Sequence, residues 1–327
     1  MAIPAAVVAA ARAGWRWQWL QLMGGLGPAD ADGNYVRPPS PFNRLPPLPG
    51  NAAEPGAHVL VVGRSCPWAH RAWLTWRLRG LEASIELVVA EPDPQAGRWV
   101  FDQPLLGCST LQELYSRAGA DPSQRATVPV LLERTSGQIV LGESARLMEL
   151  LNAWPAPPGA PDLATAALEP AISRWRERFQ HAVNDGVYRC GFARHQAAYD
   201  RAEAALFAAL EEADAALASP ATQPAGPWLC GEALTLADVQ LFPTLIRLEL
   251  VYAPLFGVSR RPLWQFPALW QWRRRFFAIP GVADCCFDAA WRADYFGALF
   301  PLHPSGIVPA GPPLATLVSG NPGAPQP

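Results

Sequence analysis

Lysine is absent from all 327 residues, so the 26 basic side chains are all arginine. That excludes catalysis through a lysine Schiff base. Cysteine is sparse, six in the whole chain, and its scatter shows neither a disulfide framework nor paired spacing for zinc. A reducing compartment, the cytoplasm, is the expectation, with no metal. Net charge is also nearly absent, −2 in total, which removes the electrostatic reason for a nucleic-acid or anionic-membrane partner. No stretch approaches the roughly 20 uninterrupted apolar residues of a membrane span. The run Ala5-Ala6-Val7-Val8-Ala9-Ala10-Ala11 resembles a signal core, but no basic segment precedes it, and Arg12 and Arg16 follow among tryptophans. It reads as part of the mature chain.

What is present is apolar mass: half of the residues are hydrophobic, enough for a sizeable core in about two ordinary domains. Residues 1–55 combine a short aromatic-rich helix expected over 15–23 with a Pro- and Gly-rich loop. They read as an extension laid over a domain. Regular signals begin at His58-Val59-Leu60-Val61-Val62, a fully buried strand, followed by a helix over 68–79 closed by Gly80 and a second strand Ile85-Glu86-Leu87-Val88-Val89. Strand, helix, strand over about 30 residues is a βαβ unit with parallel strands. Residues 91–127 read as a loop around Trp99 and a helix over 110–117. Two strands around Arg134-Thr135-Ser136-Gly137 then form a hairpin, and Gly142-Glu143-Ser144 opens a helix to about residue 152 with Ser144 as its N-cap. A βαβ unit followed by ββα is the thioredoxin-like arrangement. Pro129 lacks the ladder donor, which suggests a cis turn at the sheet edge.

The order of segments is thus an extension (1–55), a thioredoxin-like domain (56–153), a Pro-rich linker (154–164), an all-α domain (165–312) and a flexible tail (313–327). The helices of the second domain are expected over 168–185, 197–218, 239–251 and 264–277. Thr235-Leu236-Ala237-Asp238 serves as a capping box for the third.

Chemistry concentrates in Arg64-Ser65-Cys66-Pro67-Trp68-Ala69-His70-Arg71, at the junction of the first strand and helix. Pro67 suits the first helical position, which places Cys66 at the N-cap. There its sulfur faces unpaired amides and the positive helix end, both favouring thiolate, and Arg64 and Arg71 could add positive potential. The alternative is a buried structural cysteine. The spacing is that of a C-x-x-C redox motif whose second cysteine is missing, so an external thiol has to resolve any mixed disulfide, and glutathione is the obvious small one. His70, one turn further along, is expected to point away and serve structure.

The single helix-capping cysteine, the Val-Pro before a hairpin, the Glu-Ser at a helix start and the all-α second domain together resemble a glutathione transferase. Cys66-Pro67-Trp68-Ala69-His70-Arg71, Trp99-Val100-Phe101, Asn184-Asp185-Gly186-Val187-Tyr188, Leu241-Phe242-Pro243-Thr244-Leu245 and Pro304-Ser305-Gly306-Ile307-Val308-Pro309 are similar to the Xi class, the glutathionyl-hydroquinone reductases. Asp32-Gly33-Asn34-Tyr35-Val36-Arg37-Pro38 in the extension is similar too.

The resemblance implies that Cys66 is a nucleophile, with glutathione as co-substrate, a quinone-type aromatic acceptor and a homodimeric assembly. It implies that Trp99 packs against the tripeptide, that the backbone of Val128 pairs with the cysteinyl residue, and that Glu143 and Ser144 take the γ-glutamyl ammonium and carboxylate. It further implies that Tyr188, Tyr252 and Tyr295 donate to the quinone oxygens. After Tyr295 the chain departs from the family, with Phe296-Gly297-Ala298-Leu299 where a second Tyr and then Ser-His are common, which implies a more apolar acceptor pocket. Two other functions share the monothiol cysteine or the fold: an omega-like thioltransferase or dehydroascorbate reductase, and a non-catalytic binder of hydrophobic ligands.

Overall fold

The computed structural model describes residues 3–93, 98–218 and 226–318. Strand β1 (His58–Val62) is buried along its whole length and forms the middle of a six-stranded sheet ordered β4-β3-β2-β1-β5-β6. It pairs in parallel with β2 (Ile85–Asp93), across the helix α2 (Pro67–Leu78), and antiparallel with β5 (Val130–Glu133). β6 (Ile139–Leu141) closes that side as a hairpin, and helix α4 (Ser144–Ala153) then packs beside α2. This is the thioredoxin-like core, read correctly from the sequence.

Two strands were not foreseen. β3 (Arg98–Leu105) and β4 (Cys108–Thr110) form a hairpin on the outer edge of β2, preceding helix α3 (Leu111–Arg117), in a segment expected to be loop. The hairpin is half-exposed and includes Pro104, and its two-residue turn is Leu106-Gly107, both at positive φ. A mirror-image turn of that kind is usually signalled by Asn-Gly or Asp-Gly. Two smaller expectations also change. The Val128–Pro129 bond is cis, but it precedes β5, an interior strand, so the proline stands just outside the ladder and not at the sheet edge. The N-cap of α4 is Glu143, whose carboxylate accepts the Ala145 amide at 3.3 Å; Ser144 is the first helical residue.

The Ala-rich N-terminal segment extends the expected helix over 15–23 to α1 (Ala5–Leu26), consistent with the high helix propensity of alanine. Met23 is its one buried residue. Beyond α4 the second domain comprises α5 (Glu169–Phe179), a π-turn (Gln180–Asn184), α6 (Gly186–Gly191), α7 (Gln196–Ala218), α8 (Leu236–Leu245), a second π-turn (Leu248–Tyr252), α9 (Ala253–Phe256), α10 (Pro267–Phe277) and α11 (Asp288–Ala298). The helical stretch Leu236–Phe256 is long and apolar enough to cross a bilayer, contrary to the sequence expectation, but most of it is buried in this domain. It is the core helix on which α5, α2 and α10 pack. The tail, expected to be extended or disordered, docks in part: Leu317 of α12 (Leu314–Val318) is buried, and its carbonyl accepts from Arg273 Nη2 at 3.2 Å. The remainder of the tail lies outside the described residues.

Candidate active site

Cys66 leaves β1 through the Gly63-Arg64-Ser65 turn and caps α2 with an extended backbone, φ −76° and ψ 119°. Its sulfur accepts the Ala69 amide at 3.5 Å, and the thiol donates to the Val128 carbonyl, also at 3.5 Å, just before the cis-proline. Burial pushes the thiol above its ordinary value; the Ala69 and Trp68 amides and the Arg247 guanidinium pull it down, and Asp294 pushes it up. The helix end therefore acts as expected, but it does not outweigh burial. Nor are the cations the expected ones. Arg64 pairs with Glu91, and Arg71 turns away to Ser144.

Of the expected glutathione-binding residues, Val128 meets that sulfur through its carbonyl, and the others lie against Gly63 and Arg71 on either side of it in sequence. The Trp99 ring lies so close to Gly63 that a Cβ there would meet its Cζ3 and Cη2 at 2.4 and 2.6 Å and the Val128 side chain at 3.1 Å. Ser144 Oγ accepts from Arg71 Nε at 3.1 Å and Nη2 at 2.7 Å. Glu143 lies 3.6 Å from Arg71 and 3.4 Å from Arg37. Burial pushes the Glu143 carboxyl up, but Arg37 and Arg71 outweigh it and hold it below the ordinary range, so it is anionic at neutral pH.

The three tyrosines come from α6, the second π-turn and α11. Tyr295 is their hub: its hydroxyl lies 2.5 Å from that of Tyr188 and 3.4 Å from that of Tyr252. Phe256 packs on all three rings, and Tyr188 stacks on Trp68, two residues after Cys66, at 5.7 Å. Burial raises all three phenols, which are neutral donors at neutral pH, and a Cys66 charge would raise Tyr188 and Tyr252 further. Phe296, one of the residues departing from the family pattern, is buried against His303.

Three residues that the sequence reading did not place belong to this region. Arg37 reaches from the extension to Glu143, with its guanidinium 4.1 Å above the Trp68 ring. Tyr35 packs 6.2 Å from Tyr188. Arg247 is fully buried beneath the Ser65 carbonyl. A lone cation inside an apolar helical run was the available signal for Arg247; nothing in spacing marked the other two. His70 is buried, and it reaches the site indirectly, through Arg247.

A cysteine-capped helix opposite a cis-proline, with an all-helical domain closing over it, defines a glutathione transferase architecture. Residues 65–154 match the family model of the glutathione S-transferase N-terminal domain and 196–275 that of the C-terminal domain. The chain is 31% identical over 307 residues to the glutathionyl-hydroquinone reductase PcpF of Sphingobium chlorophenolicum, covering 91% of this chain and 94% of that protein. Among solved structures, the glutathione S-transferase Xi of Phanerochaete chrysosporium superposes with a TM-score of 0.80 at 30% identity, over 87% of this chain and 94% of that one. The glutathione-bound YqjG of Escherichia coli K-12 superposes with a TM-score of 0.72 at 31% identity, over 87% and 91%. The chain belongs to the glutathione S-transferase family, in its Xi class.

Proposed function

We propose that the protein is a glutathione-dependent reductase of glutathionyl-hydroquinones. The observation that supports this best is one thiol without a C-x-x-C partner, held between a helix N-terminus and the Val128 carbonyl that precedes the cis-proline, with three linked tyrosine hydroxyls beyond it. Cys66 Sγ attacks the sulfur of the glutathionyl-hydroquinone. An S–S bond forms, the sulfur–aryl bond breaks with its electron pair passing to the ring, and the ring takes up one proton, leaving as hydroquinone. A second glutathione thiolate then attacks the Cys66–S-glutathione disulfide, releasing oxidised glutathione and the Cys66 thiolate. Trp99, Val128, Glu143 and Ser144 hold glutathione, while Tyr188, Tyr252 and Tyr295 donate to the acceptor oxygens.

On this reading residues 56–153 bind glutathione and 165–312 supply the acceptor pocket. The linker over 154–164 joins the two units, and 1–55 is an extension that lends Arg37 and Tyr35 to the site. The six cysteines are all free thiols, which fits a reducing compartment such as the cytoplasm. A homodimer is the assembly proposed, with sedimentation equilibrium as its check.

Incubation with glutathionyl-menadiol and glutathione tests the reading. Menadiol and oxidised glutathione should appear in equal amounts, and Cys66→Ala should abolish both. Absence of hydroquinone, or an equally active Cys66→Ala protein, would refute it. One observation favours a second reading, a glutathione-fold binder of hydrophobic ligands without turnover: the burial that pushes the Cys66 thiol up. Ligand binding without release of oxidised glutathione is the outcome that reading requires.

A further inference from the structure

Three arginines are fully or almost fully buried: Arg71, Arg247 and Arg273. Arg71 has Glu143 at 3.6 Å and Arg273 has Glu249 at 2.6 Å. Arg247 forms no ion pair among the described residues. Its Nη1 lies 2.8 Å from both His70 Nδ1 and the Pro243 carbonyl, its Nη2 donates to the Ser65 carbonyl at 3.5 Å, and its guanidinium lies 4.0 Å over the Trp291 ring. Every one of these partners is neutral, because burial first, and then Arg247 itself, push the His70 imidazole well below its ordinary value. A buried cation without a counter-ion carries a desolvation cost of several kcal/mol. What it faces instead is the reaction: its charge lowers Cys66, Tyr252 and Tyr295.

We propose that Arg247 is the standing counter-charge for the anion of the reaction, the Cys66 thiolate first and then the departing hydroquinone, and that His70 positions it. Arg247 acts through the Ser65-Cys66 turn and the field across the pocket, so it is a positioning and electrostatic residue. His70, with Nδ1 accepting from Arg247, carries its proton on Nε2, 3.9 Å from Cys286 Sγ. The other groups facing Cys66 are the α2 amides, Asp294 from α11, and the tyrosines from α6 and the second π-turn. Arg247 faces His70 from α2, the Pro243 carbonyl from α8 and Trp291 from α11. Among these groups Arg247 supplies the positive side-chain charge at the thiol.

The inference rests on Cys66 as the reacting thiol, and its test needs no turnover. Alkylation of Cys66 by iodoacetamide, followed by peptide mass spectrometry from pH 5 to 10, reads the thiolate directly. Arg247→Met should move the profile up by about one pH unit, a roughly tenfold lower rate near pH 7. Arg247→Lys should restore most of it. His70→Leu, which removes the acceptor at Nδ1, should shift the profile in the same direction as Arg247→Met, and His70→Asn, which keeps an acceptor there, should recover it. An unmoved His70→Leu profile overturns the positioning role. An unmoved Arg247→Met profile, or no rescue by lysine, would overturn the proposal. Should Arg247→Met fail to fold, the wild-type protein decides: a positive field makes the iodoacetate to iodoacetamide rate ratio at Cys66 exceed that of free glutathione. A ratio equal to or below that of glutathione overturns it. If turnover of glutathionyl-menadiol is absent while the profile shifts as stated, the proposed reaction fails and the counter-charge stands.

Discussion

Gly63→Ala places a single methyl group at the point where the glutathione site is built. The residue is buried at the end of β1, and its Cβ would meet Trp99 ring atoms at 2.4 and 2.6 Å and Val128 Cγ2 at 3.1 Å. Carbon atoms in favourable contact stand about 3.5–4.0 Å apart, so the indole has to retreat by about 1 Å or more. Val128 cannot give way easily, because its backbone is committed to the turn before Pro129. Trp99 can, since it is only half-buried on the outer hairpin. Overpacking of this kind costs about 1–3 kcal/mol. Displacing an aromatic wall of the site by that distance should weaken glutathione binding by about 1.4 kcal/mol, a tenfold rise in KM. The thermal midpoint should fall by a few degrees, at about 2–4 °C per kcal/mol for a chain of this size or somewhat smaller. Steady-state kinetics with varied glutathione, alongside a thermal melt, reads both quantities. A variant with unchanged KM and unchanged melting temperature would refute the packing argument, and with it the placement of Trp99 beside the tripeptide.

Removing the Tyr295 hydroxyl by Tyr295→Phe breaks both phenol contacts at once and should lower kcat/KM for glutathionyl-menadiol by about 10–100-fold, more than Tyr252→Phe, whose contact is the longer one. Equal losses for the two variants would contradict the hub arrangement. Because Arg37 and Arg71 hold the Glu143 carboxyl below its ordinary 4.5, its ion pairing is complete above that value and lost only as pH falls through the lower folded one. The KM for glutathione should therefore be insensitive to this group from pH 7 down to about 5, and Glu143→Gln should raise it by about tenfold throughout that range. The fully buried Asp238 accepts from the Leu229 and Thr235 amides, the Thr235 hydroxyl and Trp272 Nε1 at 2.8–3.0 Å. Asp238→Asn turns one of those acceptors into a donor among donors and should cost about 3 kcal/mol in urea denaturation, with the Cys66 alkylation profile of the folded protein unchanged.

The parts of the molecule readable from sequence are those where local chemistry and tertiary context agree. The run His58-Val59-Leu60-Val61-Val62 is apolar because both of its faces are covered, and Pro67 after Cys66 sets a helix start that needs no distant partner. The β3–β4 hairpin was illegible for the opposite reason: half-exposed, with a Leu-Gly turn, its strands exist through pairing with β2 and not through their own pattern. The site divides in the same way. Cys66 could be placed from its neighbours, and the tyrosines from the resemblance alone. Arg37 and Arg247 gain their positions from chain segments far apart in sequence, 106 residues between Arg37 and Glu143 and 177 between His70 and Arg247. At Cys66 the helix end is visible in sequence, and the surroundings that push its thiol up are not.

The two π-turns bear on how much length variation this part of the chain can absorb. In an α-helix, residues five apart point about 140° away from each other. The wider turn at Leu248–Tyr252 is closed by the Tyr252 amide on the Arg247 carbonyl, five residues back, at 3.3 Å, and it lets the Arg247 side chain reach the Ser65 carbonyl while the Tyr252 hydroxyl reaches that of Tyr295. Loss of a single residue from 248–251 would return the segment to ordinary i→i+4 closure, with Tyr252 four residues after Arg247 and about 40° from it, so the two would still share a face. The turn at Gln180–Asn184 sets the phase of Tyr188 in the same manner, closed by the Asp185 amide on the Gln180 carbonyl at 2.9 Å. The two wide turns are thus the places in this domain where the chain can lose one residue and keep the flanking side chains in phase, whereas the same deletion within an ordinary helical turn would rotate everything beyond it by about 100°.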